Sequence, residues 1–302
     1  MKSMTKTAYC KINLTLEILG TRRGDGFHDL KSVMHKIPLG DIITLQLKEG
    51  QGRIFINCSQ NVCKDEDNLA YRAAVQYLQS YQKSKNADFD VYIDVEKVTP
   101  TGAGLGGGSA DAACVLDMLY KMAGGVDFYD VEKIAACLGS DVVFCLDRYK
   151  CAYCTGKGEI CTSIATLPKS TCIVVAKPTQ SLNTKGIYKS YDELYGDNYQ
   201  KNRSEQMKEA LEWANVKNIA ECFVNDFEEI CIARLGQIGV LKETIKENGA
   251  YLSGMSGSGS AVFGLFDEEE KCFECKKKLE SMGITDVFAF TAQDFEKMYC
   301  CE

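Results

Sequence analysis

A chain of 302 residues, 45% apolar and 25% charged, has the length of about two domains and the composition of an ordinary soluble globular protein. At that size it buries enough surface for a core without staples, and with only four prolines it has no long extended linker. The net charge of −7 argues against nonspecific nucleic-acid binding, yet backbone amides and a few lysines can still hold an anionic nucleotide locally.

The first 20 residues carry Lys6, Lys11 and Glu17 and no unbroken apolar block, so a signal peptide is not expected there. No run of about 18 apolar residues occurs, so no membrane span is expected and the chain is read as cytoplasmic. Short β-like runs cover residues 42–47 and 53–58, joined by the turn-forming Glu49-Gly50-Gln51-Gly52. Residues 68–81 are helix-like, with Leu69, Ala73, Tyr77 and Leu78 on one face. The clearest strand is 89–95, where Phe89, Val91, Ile93 and Val95 alternate with Asp90, Tyr92 and Asp94.

A glycine-rich stretch follows, Thr99-Pro100-Thr101-Gly102-Ala103-Gly104-Leu105-Gly106-Gly107-Gly108-Ser109-Ala110-Asp111. Next comes a helix marked by Ala112, Leu116, Leu119 and Tyr120. A second carries Val131, Ile134, Ala135 and Leu138, with Gly139 placed to stop it. Beyond about residue 160 the pattern changes to a strand at 172–176, several helices, a Gly/Ser-rich turn at 253–260 and a strand at 261–266. The fold class is α+β, with domains expected at 1–160 and 161–302. Sixteen cysteines, scattered through apolar patterns, read as reduced thiols acting as small hydrophobes. Cys151/Cys154 and Cys272/Cys275 have CxxC spacing and Cys300/Cys301 are adjacent. The two CxxC pairs lie far apart with no histidine close by, which disfavours zinc or redox chemistry.

Five glycines in residues 102–108 mark backbone that turns tightly or approaches something closely. Between a strand and a helix, their amides can converge on an anion at the positive end of the helix dipole, and phosphate is the natural ligand. Gly102, Gly104 and Gly107 match the dinucleotide fingerprint in spacing, but the stretch 122–130 lacks the second strand with its acidic end. A Walker A loop needs Gly-Lys-Ser/Thr, whereas Gly107 is followed by Gly108-Ser109. The mid-chain position and the lack of HRD or DFG elements exclude a protein kinase.

Residues 100–110 resemble the second motif of the GHMP kinases. Ala8-Tyr9-Cys10-Lys11-Ile12-Asn13-Leu14 is similar to their N-terminal motif and residues 253–264 to their C-terminal glycine-rich motif, in the same order. Within that superfamily, Gly20-Thr21-Arg22-Arg23-Gly24-Asp25-Gly26-Phe27-His28-Asp29-Leu30 resembles a segment of the diphosphocytidyl-methylerythritol kinases. Leu39-Gly40-Asp41, Gly139-Ser140-Asp141-Val142, Asn183-Thr184 with Tyr188, and Asn225-Asp226-Phe227-Glu228 fit the same family.

The resemblance implies a two-domain GHMP kinase fold, with a ribosomal S5 domain 2-like N-terminal domain and a ferredoxin-like C-terminal domain. It implies ATP-dependent phosphorylation of a substrate 2-hydroxyl in the non-mevalonate route to isoprenoid precursors. Asp141 matches the family's catalytic base and Lys11 the lysine that neutralises charge, a pair suited to general-base work. Asn13 matches a substrate-positioning residue. Pro100, Gly102, Ala103, Gly104, Leu105, Gly106, Gly107, Gly108, Ser109 and Ala110 match the ATP phosphate loop, with Lys97 and Asn68 at positions near the adenine. Phe27, His28, Thr184 and Tyr188 match the cytosine end, Phe27 replacing a tyrosine and keeping its π-face, with Tyr188 the ring opposite it; His35 is read as structural.

Magnesium is implied with ATP, with no direct protein ligand assigned and Ser109 as an indirect one. The implied partners are the small-molecule substrate and ATP, without nucleic acid or membrane, in a monomer or weak homodimer. The sequence departs from the family at Tyr149-Lys150-Cys151-Ala152-Tyr153-Cys154, at Val142-Val143 and at Cys10, which leaves open another GHMP kinase or a catalytically silent GHMP-fold protein.

Overall fold

The computed structural model describes residues 2–22, 26–60, 65–85, 89–195 and 202–300. Arg23, Gly24, Asp25 and Cys301, named in the sequence patterns, lie outside them. In chain order the elements are β1 (Lys2–Thr21), β2 (His28–Glu49), β3 (Ile54–Cys58), α1 (Leu69–Lys85), β4 (Phe89–Glu96), α2 (Gly107–Ala123), α3 (Phe128–Leu138), α4 (Ser140–Cys145), β5 (Cys151–Thr155), β6 (Ile160–Ser163) and β7 (Cys172–Lys177). There follow α5 (Thr184–Tyr195), α6 (Arg203–Glu212), α7 (Val216–Cys222), β8 (Val224–Asn225), α8 (Glu228–Arg234), α9 (Gln237–Glu247), β9 (Leu252–Met255), β10 (Val262–Phe266), α10 (Glu269–Ser281), β11 (Asp286–Phe290) and α11 (Ala292–Cys300). The chain divides into two compact units, one of residues 1–10, 39–99 and 106–149, the other of 11–38, 100–105 and 150–302.

In the first unit the strand order is β3-β4-β2-β1. β4 shows the alternation read in the sequence, burying Val91, Ile93 and Val95 while Asp94 and Glu96 face solvent. Asp90 breaks that pattern: it is buried, accepts the amides of Gln51 (2.9 Å) and Arg53 (3.0 Å), and pairs with the Arg53 guanidinium at 2.6 Å. Hydrogen bonds from Arg53 hold its carboxyl at about 2. The turn at 49–52 therefore closes over Asp90. It leads into a strand that pairs in parallel with β4, Ile54 opposite Val91, and β4 lies between β3 and β2. Helix α1 buries Ala70, Ala73, Ala74, Tyr77 and Leu78 and packs on α2. The small side chains Ala110, Ala112 and Ala113 let α2 be buried along most of its length.

The second unit holds an antiparallel sheet in the order β11-β7-β10-β9, with α9 and α10 packed against it. Its core joins Val174, Ala176, Ile238, Leu241, Phe266 and Leu279 with Leu16, Ile18 and Leu30 from the long strands. β5 pairs antiparallel with β2, Ser32 opposite Cys154, and with β6. β8 pairs in parallel with β1, Thr15 opposite Val224.

β1 and β2 are far longer than the sequence pattern indicates, since residues 42–47 are only the last part of a 22-residue strand. Over residues 10–17 of β1 both faces are buried, so polar Lys11, Asn13, Thr15 and Glu17 interrupt the apolar run without marking a wet face. Glu17 is held by the first amides of α6, those of Arg203 (3.1 Å) and Ser204 (2.8 Å), where a helix favours negative charge. The Gly/Ser-rich segment also begins as a strand, β9, paired with β10.

No disulfide joins cysteines among the described residues. Cys151 and Cys154 are three apart on a strand and so point to opposite faces. Cys272 and Cys275 both face the core from α10, where burial pushes their thiols up to about 12. His35 is buried and keeps a single tautomer: Nδ1 donates to the Lys36 carbonyl (2.6 Å) and Nε2 accepts the Leu167 amide (3.2 Å). Burial lowers its pKa to about 4. No helix of the described residues is long and apolar enough to cross a membrane.

Candidate active site

Three stretches far apart in sequence meet within the second unit. Lys11, on β1, is buried, and its ammonium donates to Asn13 Oδ1 (2.7 Å) and to the Gly104 carbonyl (3.0 Å). The Lys11 amide donates to the Leu105 carbonyl at 2.9 Å, which fixes the first half of the glycine loop against β1. Ser256, from the Gly/Ser-rich turn, donates to the same Gly104 carbonyl (3.0 Å) and accepts the Asn13 amide (3.3 Å).

Glycine is required at this crossing. Gly104 has φ +75°, and a Cβ there would stand 2.2 Å from the Ser256 carbonyl oxygen; at Gly257, φ +57°, a Cβ would stand 2.9 Å from the Gly104 carbonyl oxygen and 3.4 Å from Lys11 Nζ. Asn225 braces the turn by donating to the carbonyls of Met255 (2.8 Å) and Gly257 (2.9 Å). On the other side, Asn13 Nδ2 donates to Ser32 Oγ (2.8 Å), which donates to the Thr15 carbonyl (2.6 Å).

The residues matched to a cytosine end also lie in this unit. His28 Nε2 lies 2.6 Å from Asp192 Oδ1, so the proton sits on Nε2 and is donated to the carboxylate. The His28 ring meets Tyr188 with centroids 5.0 Å apart, and Tyr188 packs edge-on against Phe227 at 4.6 Å. Phe27 is exposed, with the Lys157 ammonium 4.7 Å from its ring centroid. Thr184, first residue of α5, shares a 2.8 Å hydrogen bond with Ser258 of the Gly/Ser-rich turn.

The first unit carries the other half of the glycine loop. Gly106 takes φ +71° to open α2, which begins at Gly107 and includes Gly108, Ser109 and Ala110, while Pro100, Gly102, Ala103, Gly104 and Leu105 belong to the second unit. Lys97 is committed to a buried ion network: its ammonium pairs with Asp41 and, at 2.8 Å, with Asp111 in the opening turns of α2. Asp41 also accepts the amides of Val98 (2.6 Å) and Thr99 (2.7 Å). The network thus ties the end of β4 to the start of α2 on either side of the loop.

Two buried carboxylates share one ammonium here. Burial, reinforced by the Asp41 charge, pushes Asp111 up to about 7 despite Lys97. Asp111 Oδ1 and Thr99 Oγ1 are buried atoms without a hydrogen-bond partner in the protein. Asn68 precedes α1 and caps it by accepting the Ala70 amide at 2.9 Å. Asp141 lies in the first turn of α4, half-buried, just after Gly139, which ends α3.

Among the described residues no cluster of three or more His, Cys, Asp or Glu side chains is arranged to hold a metal. A cation here would take most of its ligands from nucleotide phosphates and water, the ordinary habit of magnesium, and the Ser109 hydroxyl in the first turn of α2 suits an indirect contact.

Sequence reasoning missed Ser256 as an individual, Ser32, Asp192 and the Asp41–Lys97–Asp111 network. Ser256 and Asp41 stood inside quoted motifs without a role. Asp192 had no signal beyond its place four residues after Tyr188 on a helix.

Residues 68–148 match the GHMP kinases N terminal domain, and residues 207–284 match the GHMP kinases C terminal domain. The chain is 35% identical over 290 residues to the 4-diphosphocytidyl-2-C-methyl-D-erythritol kinase of Clostridium botulinum (strain Loch Maree / Type A3), covering 93% of this chain and 99% of the relative. It is 39% identical over 268 residues to the enzyme of that name from Desulfitobacterium hafniense (strain Y51), covering 87% of each. A crystal structure of 4-(cytidine 5'-diphospho)-2C-methyl-D-erythritol kinase superposes with a TM-score of 0.75 at 30% identity, over 95% of this chain and 98% of that one. A homoserine kinase from Cytophaga hutchinsonii shares the fold alone, with a TM-score of 0.70 at 15% identity over 96% and 95% of the two chains. The two-domain α+β GHMP kinase fold is therefore established, and this chain belongs to the 4-diphosphocytidyl-2-C-methyl-D-erythritol kinase family.

Proposed function

We propose that this chain transfers the γ-phosphoryl group of ATP to the 2-hydroxyl of 4-diphosphocytidyl-2-C-methyl-D-erythritol, a step of the methylerythritol phosphate route. The observation that carries the reading is the convergence of Lys11, Asn13, Gly104 and Ser256, in which one buried ammonium is held by a side-chain amide and by the glycine loop. That arrangement fixes a positive charge beside backbone suited to phosphate.

In this reading Asp141 receives the proton of the attacking hydroxyl. Lys11 supplies charge to the transferring phosphoryl, and Asn13, steadied by Ser32, orients the acceptor. Residues 102–110 wrap the phosphates with backbone amides, and Asn68 and the backbone at Lys97 lie toward the adenine. Magnesium, when bound with ATP, supplies further positive charge at the phosphates, with Ser109 as its indirect contact. His28, oriented by Asp192, hydrogen-bonds the cytosine, while Phe27 and Tyr188 offer π-faces to it and Thr184 borders the same end.

The test is ATP-dependent phosphorylation of the cytidine substrate, with mevalonate and homoserine as alternative acceptors and Asp141→Asn and Lys11→Met beside the wild type. Turnover of the cytidine compound alone, falling at least about 100-fold in either variant, is expected, the range commonly lost with a general base. Turnover of another acceptor in its place would overturn the substrate. Full activity in Asp141→Asn would overturn the base.

A further inference from the structure

We propose that Cys154 and Cys161 form a reversible cross-strand disulfide that weakens binding of the cytidine end of the substrate; its functional half rests on the reading above. The two residues are direct partners in the β5–β6 hairpin, and their sulfurs are 3.4 Å apart. Directly opposed residues of an antiparallel pair have Cα atoms about 4.5–5.5 Å apart, inside the span a disulfide bridges. Closing the sulfurs to the bonded distance of about 2.05 Å asks for a side-chain adjustment and a small shift of the hairpin.

Exposure sets the order of events. Cys161 is half-buried and Cys154 fully buried, so a small disulfide such as oxidised glutathione meets Cys161 first. The Cys161 thiolate attacks one sulfur of that reagent, forming a mixed disulfide and releasing one thiolate. The Cys154 thiolate then attacks Cys161 Sγ, closing the protein bridge and expelling the second thiolate. Two protein thiols are oxidised, one small disulfide is reduced to two thiols, and the two protein protons pass to solvent and the released thiolates. The CxxC partner, Cys151, faces the other side of β5 and takes no part.

The hairpin is wired to the substrate residues at three points. Cys154 stands opposite Ser32, whose hydroxyl accepts Asn13 Nδ2. The Gly156 carbonyl accepts the Leu30 amide at 2.8 Å, two residues from His28. Lys157 lies over the Phe27 ring. Drawing Cys154 and Cys161 together therefore displaces the support of Asn13, His28 and Phe27 at once.

Wild type and Cys161→Ser are to be treated with oxidised glutathione, digested without reduction and mapped. Trypsin cuts at Lys157, between the two cysteines, and cleavage after Tyr153 separates Cys151 from Cys154, so the bridge identifies itself. Calorimetry with cytidine 5′-diphosphate and with an ATP analogue then reads each end of the site. The expected result is a Cys154–Cys161 linked pair in the wild type, reversed by dithiothreitol. Affinity for cytidine diphosphate should fall several-fold, nucleotide-triphosphate affinity should hold, and Cys161→Ser should not respond. Absence of the linked pair under conditions that modify exposed Cys137 and Cys300 would overturn the proposal, as would a bridge that leaves cytidine diphosphate affinity unchanged. Failure of the reduced protein to bind cytidine diphosphate at all would instead overturn the substrate reading.

Discussion

Asp111 shows how a single residue joins the loop to stability. Its carboxyl shares the Lys97 ammonium with Asp41, and burial raises it to about 7 from an ordinary value of 3.8. The folded chain therefore holds a proton that the unfolded chain has released between about pH 4 and 7. The stability linked to this group is present below the unfolded value and is lost as pH rises through about 7. His35 works the other way: lowered from 6.5 to about 4, it adds stability as pH rises between those values. Asp111→Asn removes the first dependence and keeps the second. Urea midpoints from pH 4.5 to 8 should show the wild type losing ground to the variant with rising pH, most steeply below about pH 6.5 and levelling off above 7, while the His35 dependence, common to both, cancels in the comparison. A pH-independent gap between the two would show that Asp111 does not titrate in this range.

At the scale of elements, the glycine loop works by backbone contact, and two glycines separate the contributions. Gly124 ends α2 with φ +62° and open space around the missing Cβ; Gly104 has φ +75° and the Ser256 carbonyl 2.2 Å from its missing Cβ. Gly124→Ala should cost about 1–3 kcal/mol, the backbone penalty of a φ +62°, ψ −157° conformation that essentially only glycine adopts, and leave turnover intact. Gly104→Ala adds a clash with fixed backbone and pushes on the carbonyl that Lys11 grips, so it should cost more stability and most of the activity. Chemical denaturation and kinase assays on both variants test this, and equal losses in the two would refute it.

The same contrast explains what was legible in the sequence. The alternation of β4, the helical periodicity of α1 and α2 and the glycine density of the loop are local signals, and each marks its element. The partners of those elements are not local. Nothing near Lys11 announces that its ammonium meets Gly104, 93 residues on, or that Ser256 closes the same knot. β1 escaped notice because its polar side chains are buried, which erases the wet face by which a strand is read.

At the scale of the whole chain, the boundary near residue 160 and the compact units follow different lines. Residues 11–38 and 100–105 cluster with 150–302, so the second unit is built from three separated segments. Its core includes Leu16, Ile18 and Leu30, and its β8 pairs with β1. A fragment of residues 161–302 keeps the β11-β7-β10-β9 sheet with α9 and α10, but it exposes the apolar surface those three side chains cover and leaves β8 without its partner. Fully burying one such side chain is worth roughly 1.5–3 kcal/mol, so losing three removes several kcal/mol from a domain whose total is about 5–15 kcal/mol. The fragment should unfold at a much lower urea concentration than the full chain or show no cooperative transition, read by circular dichroism and amide exchange. Residues 1–160 contain every segment of the first unit and should keep a cooperative transition. A 161–302 fragment as stable as the intact protein would mean that residues 11–38 lie on the second unit without holding it together, and that the long strands serve the site rather than the fold.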